Sequence, residues 1–422
     1  MLSRISVRAQ ATAAAAAPNT LASSFDLRGS RLPSGLSVTS VDLGQPIAHL
    51  AIAFRAGSRY QSAAEAGFVH RLRNAIGTDS RRAKGVTMLW QSGIIGADVQ
   101  ATADRENLIV TMSLPRTHAA LGASLLSELA QPKLEPWDLE EANAAVKTDV
   151  AHLPTWEKVS QLLHEAAFRN GPLSQAPLIV CPHAAAAGAN FRALQDYANS
   201  RLVAREGSVV GVNVDHGELA SFFAEKAYIQ EAAGRGDAPQ SQYYGHGDAR
   251  RAASSASVGV AVAGEAASLA DSRGLAAAAV VAQLIKKALP SASAFYQPYG
   301  DAGLIGFYLE DEASAQTTDK IKAAVNKLRS LADSVNDTSV EAAKAAARNA
   351  VLVRADRGAE LASSLAASVL SPAKDLHSPA DVAGLIDGVS VADVKEGARK
   401  AGAQLSLGAV GNTRLVPYLD EC

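Results

Sequence analysis

Hydrophobic and polar positions follow one order twice along this chain. Between Leu50 and Ser58, in LAIAFRAGS, larger apolar residues alternate with alanine; the alternation returns between Val260 and Ser268, in VAVAGEAAS. Period two of this kind predicts a half-buried strand. A small-residue turn and a helical run follow each strand, Ala64 to Ile76 in the first case and Gly274 to Leu289 in the second. A second strand pattern, Asn107 to Leu114, is echoed by Gly303 to Glu310, and each precedes an amphipathic run, His118 to Ala130 and Thr317 to Leu331. Alanine-rich helical stretches follow at Leu139 to Val150 and Val340 to Val351. Each series closes with a helix and a strand: Tyr197 to Arg201 with Val209 to Val214, then Val391 to Ala401 with Leu405 to Val410.

Four matched stretches in one order point to an internal duplication. The pattern predicts an α+β fold of two homologous domains, each of roughly 200 residues. Each domain is expected to be a mixed β-sheet with helices packed mainly on one face. The boundaries read as 26–230 for the first domain, 231–248 for a linker and 249–422 for the second. The linker, EAAGRGDAPQSQYYGHGD, is rich in Gly, Pro, Gln and Ser and has no apolar period. Gly245-His246-Gly247 within it is a weak phosphate-loop signal, because no helix follows.

Composition narrows the function classes. Of the 422 residues 48% are hydrophobic and 19% charged, and the net charge is −2, so the chain reads as globular with no electrostatic case for nucleic acid. Two cysteines, Cys181 and Cys422, give neither a disulfide framework nor a zinc cluster. No run reaches the roughly 18–20 apolar residues of a membrane span. Residues 1–25, with Arg4, Arg8, several Ser and Thr and no acid before Asp26, carry the pattern of a mitochondrial transit peptide.

Candidate chemistry is sparse. His70, in GFVHRLRNAIG, lies on a predicted helix, but the positions three and four residues on are Arg73 and Asn74. A cation repels Zn²⁺ and Asn is a poor ligand, so His70 reads as a histidine in or near the core. His164-Glu165 opens an H-E-x-x-H motif that Phe168 breaks, and Cys181-Pro182-His183 has the wrong spacing for chelation. Asp301 reads as a turn acid before a strand. No G-x-S-x-G, P-loop or dinucleotide fingerprint is present.

With its duplication, its presequence and GFVHRLRNAIG, the chain resembles the inverted-motif zinc peptidases and their relatives. These include the mitochondrial processing peptidase subunits and the non-catalytic core subunits of the cytochrome bc1 complex. Active members carry H-x-x-E-H on the first helix and a further Glu about 75 residues later. Carried over, the first His is His70, the water-activating Glu is Arg73, the second His is Asn74 and the distal Glu falls on Lys147, with Asp149 close by. Asp301-Ala302-Gly303-Leu304-Ile305-Gly306-Phe307-Tyr308 and the ending from Gly411 to Glu421 resemble the core-subunit branch. Two departures stand out: Lys286 to Phe295 is shorter than in relatives, and the glycine-rich substrate loop of the processing peptidase α-subunit is absent.

The resemblance implies a catalytically inactive peptidase homologue in respiratory complex III, peripheral to the inner mitochondrial membrane on the matrix side. It implies no catalytic residue, metal or cofactor in this chain, with haem, iron–sulfur and quinone chemistry left to its partners. Those would be a core protein 1 homologue, cytochrome b, cytochrome c1 and the Rieske protein. The alternatives are a non-catalytic partner in a presequence-processing peptidase and a zinc hydrolase with an unusual site.

Overall fold

In the computed structural model, residues 25–180, 187–253, 256–371 and 378–422 are described. The presequence expected over residues 1–25, apart from Phe25, and the Cys181-Pro182-His183 stretch lie outside them. The first half builds strands β1 (Arg28–Arg31), β2 (Ser37–Val41), β3 (Ile47–Phe54), β4 (Asp98–Ala103), β5 (Leu108–Pro115) and β6 (Gly207–Val212). Its helices are α1 (Phe68–Ala75), α2 (Gly85–Ile94), α3 (Ala119–Leu129), α4 (Asp138–Ala151), α5 (Thr155–Phe168), α6 (Ala187–Arg201) and α7 (His216–Glu225). The second half builds β7 (Asp248–Ala252), β8 (Ser257–Glu265), β9 (Ser293–Pro298), β10 (Gly303–Glu312) and β11 (Ser406–Gly411). Its helices are α8 (Ser272–Ala288), α9 (Ala315–Arg329), α10 (Leu331–Ser334), α11 (Asp337–Ala355), α12 (Gly358–Leu370), α13 (Pro379–Asp387) and α14 (Val391–Ala403).

The repeat read from the sequence is a repeat of topology. The first sheet runs β1-β2-β6-β3-β5-β4 and the second β7-β11-β8-β10-β9. Setting β3 on β8, β5 on β10, β6 on β11, β4 on β9 and β2 on β7 superposes the two orders, and β1 is an addition. Strand directions agree as well: β2 is parallel to β6 and β7 to β11, while the central pairs are antiparallel. The fold is α+β, with two mixed sheets of the same design.

Alternation in the central strands has a structural cause. The larger residues of β3, Leu50, Ile52 and Phe54, enter the core under the first half's own helices; those of β8, Val258, Val260 and Val262, do the same in the second half. The alanines face the other way: Ala51 and Ala53 on β3, Ala261 and Ala263 on β8. That small-residue side is not left to solvent. Helix α12, from the second half, packs on β3, β5 and β6, and α5, from the first half, packs on β7, β8 and β11. Own helices therefore lie on one face of each sheet, as the pattern predicts, and a single helix exchanged from the other half covers the opposite face.

Polar contacts reinforce the exchange. Arg59, 7% exposed, bonds Glu106 and, at 2.9 Å, Asp301 of the other half. Asp301 is thus an ion-pair partner across the halves and more than a turn acid; it also accepts the Ser241 backbone N–H at 2.7 Å. His164 is fully buried, with Nδ1 2.6 Å from the Ser160 carbonyl and Nε2 2.7 Å from the Tyr299 hydroxyl of the other half. Residues 231–247 form no regular element, yet they are pinned. Arg235 bonds Glu65 at 2.6 Å, Asp237 meets Arg55 at 2.8 Å, and the His246 N–H donates to Leu405 at 2.8 Å.

Candidate functional site

Gly67, at φ +88°, turns the chain into α1 in a left-handed conformation that favours glycine. The helix buries Phe68, Val69, Leu72 and Ala75 against the first core, and this fixes its rotation. His70 and Arg71 then face α4, which packs alongside. Arg71, 3% exposed, donates to the Asn143 side chain at 2.8 Å and so ties the two helices together.

One carboxylate oxygen collects the motif positions. Asp149 Oδ2 lies 3.1 Å from His70 Nε2, 3.1 Å from Arg73 Nη1 and 3.2 Å from Asn74 Nδ2. Arg73 also donates through Nε to the Ala101 carbonyl of β4 at 3.1 Å. His70 is fully buried, and its Nδ1 lies 3.2 Å from the Ile179 carbonyl. Both ring nitrogens thus face acceptors, and a neutral imidazole can donate to only one of them.

Three of the four expected positions, His70, Arg73 and Asn74, come together; Lys147 does not join them. Helix α4 turns Asn143, Val146 and Asp149 inward at spacings of three, while Lys147, one residue on from the buried Val146, is exposed. The acid that reaches His70, Arg73 and Asn74 is Asp149, two residues on from Lys147. Asn143 and the Ile179 carbonyl had no signal in the sequence, because neither belongs to a recognised spacing.

Burial alone would raise the Asp149 pKa. Hydrogen bonds from His70 and Asn74 and the charge of Arg73 outweigh that effect and hold the carboxyl below its usual range. Such a network neutralises a carboxylate and leaves it a poor base. Zinc does not fit these residues: a guanidinium occupies the centre, Asn74 replaces an imidazole, and among the described residues no three His, Cys, Asp or Glu side chains gather to hold a metal. No hydrolytic step follows from this geometry. His164, at the broken second motif, is neutral: burial, then the charge of Arg105, pushes its pKa well down. It binds the two halves together through the Tyr299 hydroxyl.

The duplicated sheets and the α1–α4 site define a two-domain peptidase-like architecture. Residues 37–182 match the family described as insulinase, peptidase family M16. At the level of particular proteins, the chain is similar to the mitochondrial cytochrome b-c1 complex subunit 2 of Homo sapiens, 26% identical over 423 positions that cover 94% of this chain and 92% of the relative. The Mus musculus protein of the same name is 25% identical over the same shares. A probable mitochondrial-processing peptidase subunit alpha-1 of Arabidopsis thaliana is 23% identical, covering 92% of this chain and 82% of its own length. No helix among the described residues is long and apolar enough to cross a membrane.

Proposed function

We propose that the chain is a core subunit of mitochondrial respiratory complex III, the counterpart of core protein 2, and that it supports assembly without catalysing a reaction. The observation that carries this reading is the Asp149 network. An internal guanidinium, carboxamide and imidazole satisfy the carboxylate of Asp149, and the position of the water-activating Glu holds Arg73 itself. Similarity to subunit 2 across 94% of the chain supports the same reading. The subunit would sit on the matrix side of the inner membrane, beside a core protein 1 homologue, with cytochrome b, cytochrome c1 and the Rieske protein in the same dimeric complex. Large apolar contacts would hold such an obligate assembly together.

Native purification from detergent-solubilised mitochondria tests the proposal. Co-migration with cytochromes b and c1 and the Rieske protein is the expected result. In intact complex, His70→Ala should leave electron-transfer turnover unchanged; loss of turnover despite full assembly would contradict a supporting role. Similarity to a processing-peptidase α-subunit favours a second reading, a non-catalytic partner in presequence cleavage. Migration with one haem-free peptidase subunit would decide for it.

A further inference from the structure

The two halves fill the space beside their first α-helix differently. Helix α1 packs against α6, and α8 packs against α14. Strand pairing fixes the register of the repeat: Ile52 of β3 faces Val209 of β6, and Val262 of β8 faces Leu407 of β11. The inward residues Leu194, Tyr197 and Ala198 of α6 recur at the same spacing on α14 as Val394, Gly397 and Ala398. Tyr197 is fully buried. Its ring meets Phe68 of α1 edge-on, with centroids 6.1 Å apart, and its hydroxyl lies 3.2 Å from both the Ala56 and Gly57 carbonyls. Gly397 puts no side chain in that place; a Cβ there would lie 3.4 Å from Val281 of α8. Helix α8 in turn has Ala277 and Ala278 along the face that carries Phe68 on α1.

The result is a cavity of about 380 Å³, within the usual range of small-molecule sites. Ala277, Ala278, Val281 and Ile305 give it an apolar wall. Ala266 and Ala267, the counterparts of Ala56 and Gly57, also line it. Charge divides the halves as well. In the first, guanidiniums of the chain itself occupy the region: Arg235 bonds Glu65 at 2.6 Å and lies 5.8 Å from the Tyr197 ring centroid, and Arg201 lies 4.4 Å from that of Tyr60. In the second, Glu265, Asp271, Asp301, Asp393 and Glu396 line the cavity against Arg273 and Lys400. Both cations are already paired, Arg273 with Asp393 at 2.9 Å and Lys400 with Glu396 at 3.3 Å. Glu265 and Asp271 have no ion-pair partner among the described residues, although Asp271 accepts the Gly274 N–H at 2.9 Å. Asp301 Oδ1 is buried without a hydrogen-bond partner. The first half therefore supplies a ring and a cation from its own chain, and the second half supplies neither.

We infer that the α8–α14 cavity binds a small arylethylammonium ion, with its ring between Ala278 and Gly397 and its ammonium among Glu265, Asp271 and Asp301. A two-carbon arm holds ring and cation near the separation that Arg235 and Tyr197 show, within the reach of a cation–π contact. The inference rests on the difference between the halves and is independent of the functional reading above.

Ligand-observed NMR titration of the full chain with tyramine tests it. Tyramine is expected to bind with a Kd of about 100 µM, in keeping with its few non-hydrogen atoms. Hydroxyphenylpropionate, which reverses the charge, and butylammonium, which lacks the ring, should each bind at least about tenfold more weakly. Glu265→Gln combined with Asp271→Asn should weaken tyramine about tenfold with an unchanged thermal melt, since asparagine keeps the helix cap. Gly397→Tyr gives the second half the ring of the first and should abolish binding without lowering the melt. Where that variant fails to fold, the carboxylate variant decides alone. Absence of binding at millimolar tyramine overturns the proposal. So does equal affinity for the propionate, a carboxylate variant that binds as the wild type does, or a folded Gly397→Tyr chain that still binds.

Discussion

Helix α5 meets the second sheet with Val159, Leu162, Leu163 and Phe168, whereas α12 meets the first with Leu361, Ala362, Leu365 and Ala366. The sheets differ in the opposite sense. Under α5 the second sheet offers Gly408, whose added Cβ would lie 2.5 Å from the Leu163 backbone nitrogen, and residues 247–259 bring Gly247 and Gly259 against the same helix. Under α12 the first sheet offers Ala51, Ala53, Val210 and Val212. Large helix residues thus sit on a bare sheet in one crossing, and small helix residues sit on a fuller sheet in the other. Close packing constrains the summed volume at a contact and leaves its division between the partners free. Two halves with one topology have therefore diverged in residues while keeping the exchange.

Separating the halves would break this equivalence most severely. Residues 26–237 alone keep α5 without its sheet and the first sheet without α12. Exposure of Val159, Leu162, Leu163 and Phe168 forfeits about 6–12 kcal/mol at 1.5–3 kcal/mol per side chain, as much as a whole domain's stability. The expected product is a chain without a cooperative melt that binds a hydrophobic dye; a sharp melt with native near-UV dichroism would show that the exchange is dispensable.

A gentler test separates the two crossings. Gly408→Val drives side-chain atoms into α5 backbone that cannot rotate away, and should cost about 3 kcal/mol in urea unfolding. Ala53→Val under α12 meets mostly side chains, which can shift, and should cost about 1 kcal/mol. Equal costs would mean that the division of volume between helix and sheet has no energetic consequence.

The crossings also differ in polarity. Helix α5 carries a fully buried histidine into its contact, whereas the histidine beside α12, His49 of β3 against Gly358, is only partly buried, so mild acid should act more strongly on the α5 contact. His164 is held neutral when folded, so its pKa is depressed and the unfolded chain takes up the proton first. Stability is therefore full above about pH 6.5, the unfolded value, and falls as pH drops toward the lowered folded value. One proton changes it by at most about 1.4 kcal/mol per pH unit. In His164→Gln, chemical denaturation between pH 7.5 and about pH 5 should show a shallower loss than in the wild type. Tyr299, pushed up to about 12 by burial, stays protonated throughout and contributes nothing to that slope.

How much of this was legible in the sequence follows from range. Alternating Leu50-Ala51-Ile52-Ala53 and Val260-Ala261-Val262-Ala263 revealed strands and duplication because period two is a local property. The alanines also held the signal for the exchanged helices, but a small face does not say which helix covers it. Arg59 and Asp301 are 242 positions apart, and no spacing rule joins them. At the site, His70, Arg73 and Asn74 lie on one turn and could be read together. The acid from α4 can be placed from the sequence only to within a turn, since a two-residue slip moves a side chain about 200° around the helix: register points to Lys147, and the side chain that contacts His70, Arg73 and Asn74 is Asp149.

The smallest effect compares two Arg–Asp pairs made by the first α-helices of the two halves. Arg73 meets Asp149 at 3.1 Å beside a buried His70, while Arg273, 73% exposed, meets Asp393 at 2.9 Å near the start of α14. A surface pair contributes little, so Arg273→Ala should change stability by no more than about 0.5 kcal/mol. Asp149→Ala removes a carboxylate that is itself partly exposed, which limits the Coulombic loss, but it also strips an acceptor from His70, which has no access to water. The expected cost is about 1 kcal/mol. Because the Asp149 pKa is lowered in the folded chain, its contribution is present above about pH 3.9, the unfolded value, and disappears as acid protonates the folded carboxyl below that. Urea titrations of both variants at neutral pH decide the matter. If Arg273→Ala costs as much as Asp149→Ala, then the peptidase-like site has kept no more structural role than an ordinary surface contact, and convergence of three donors on one oxygen carries no stability of its own.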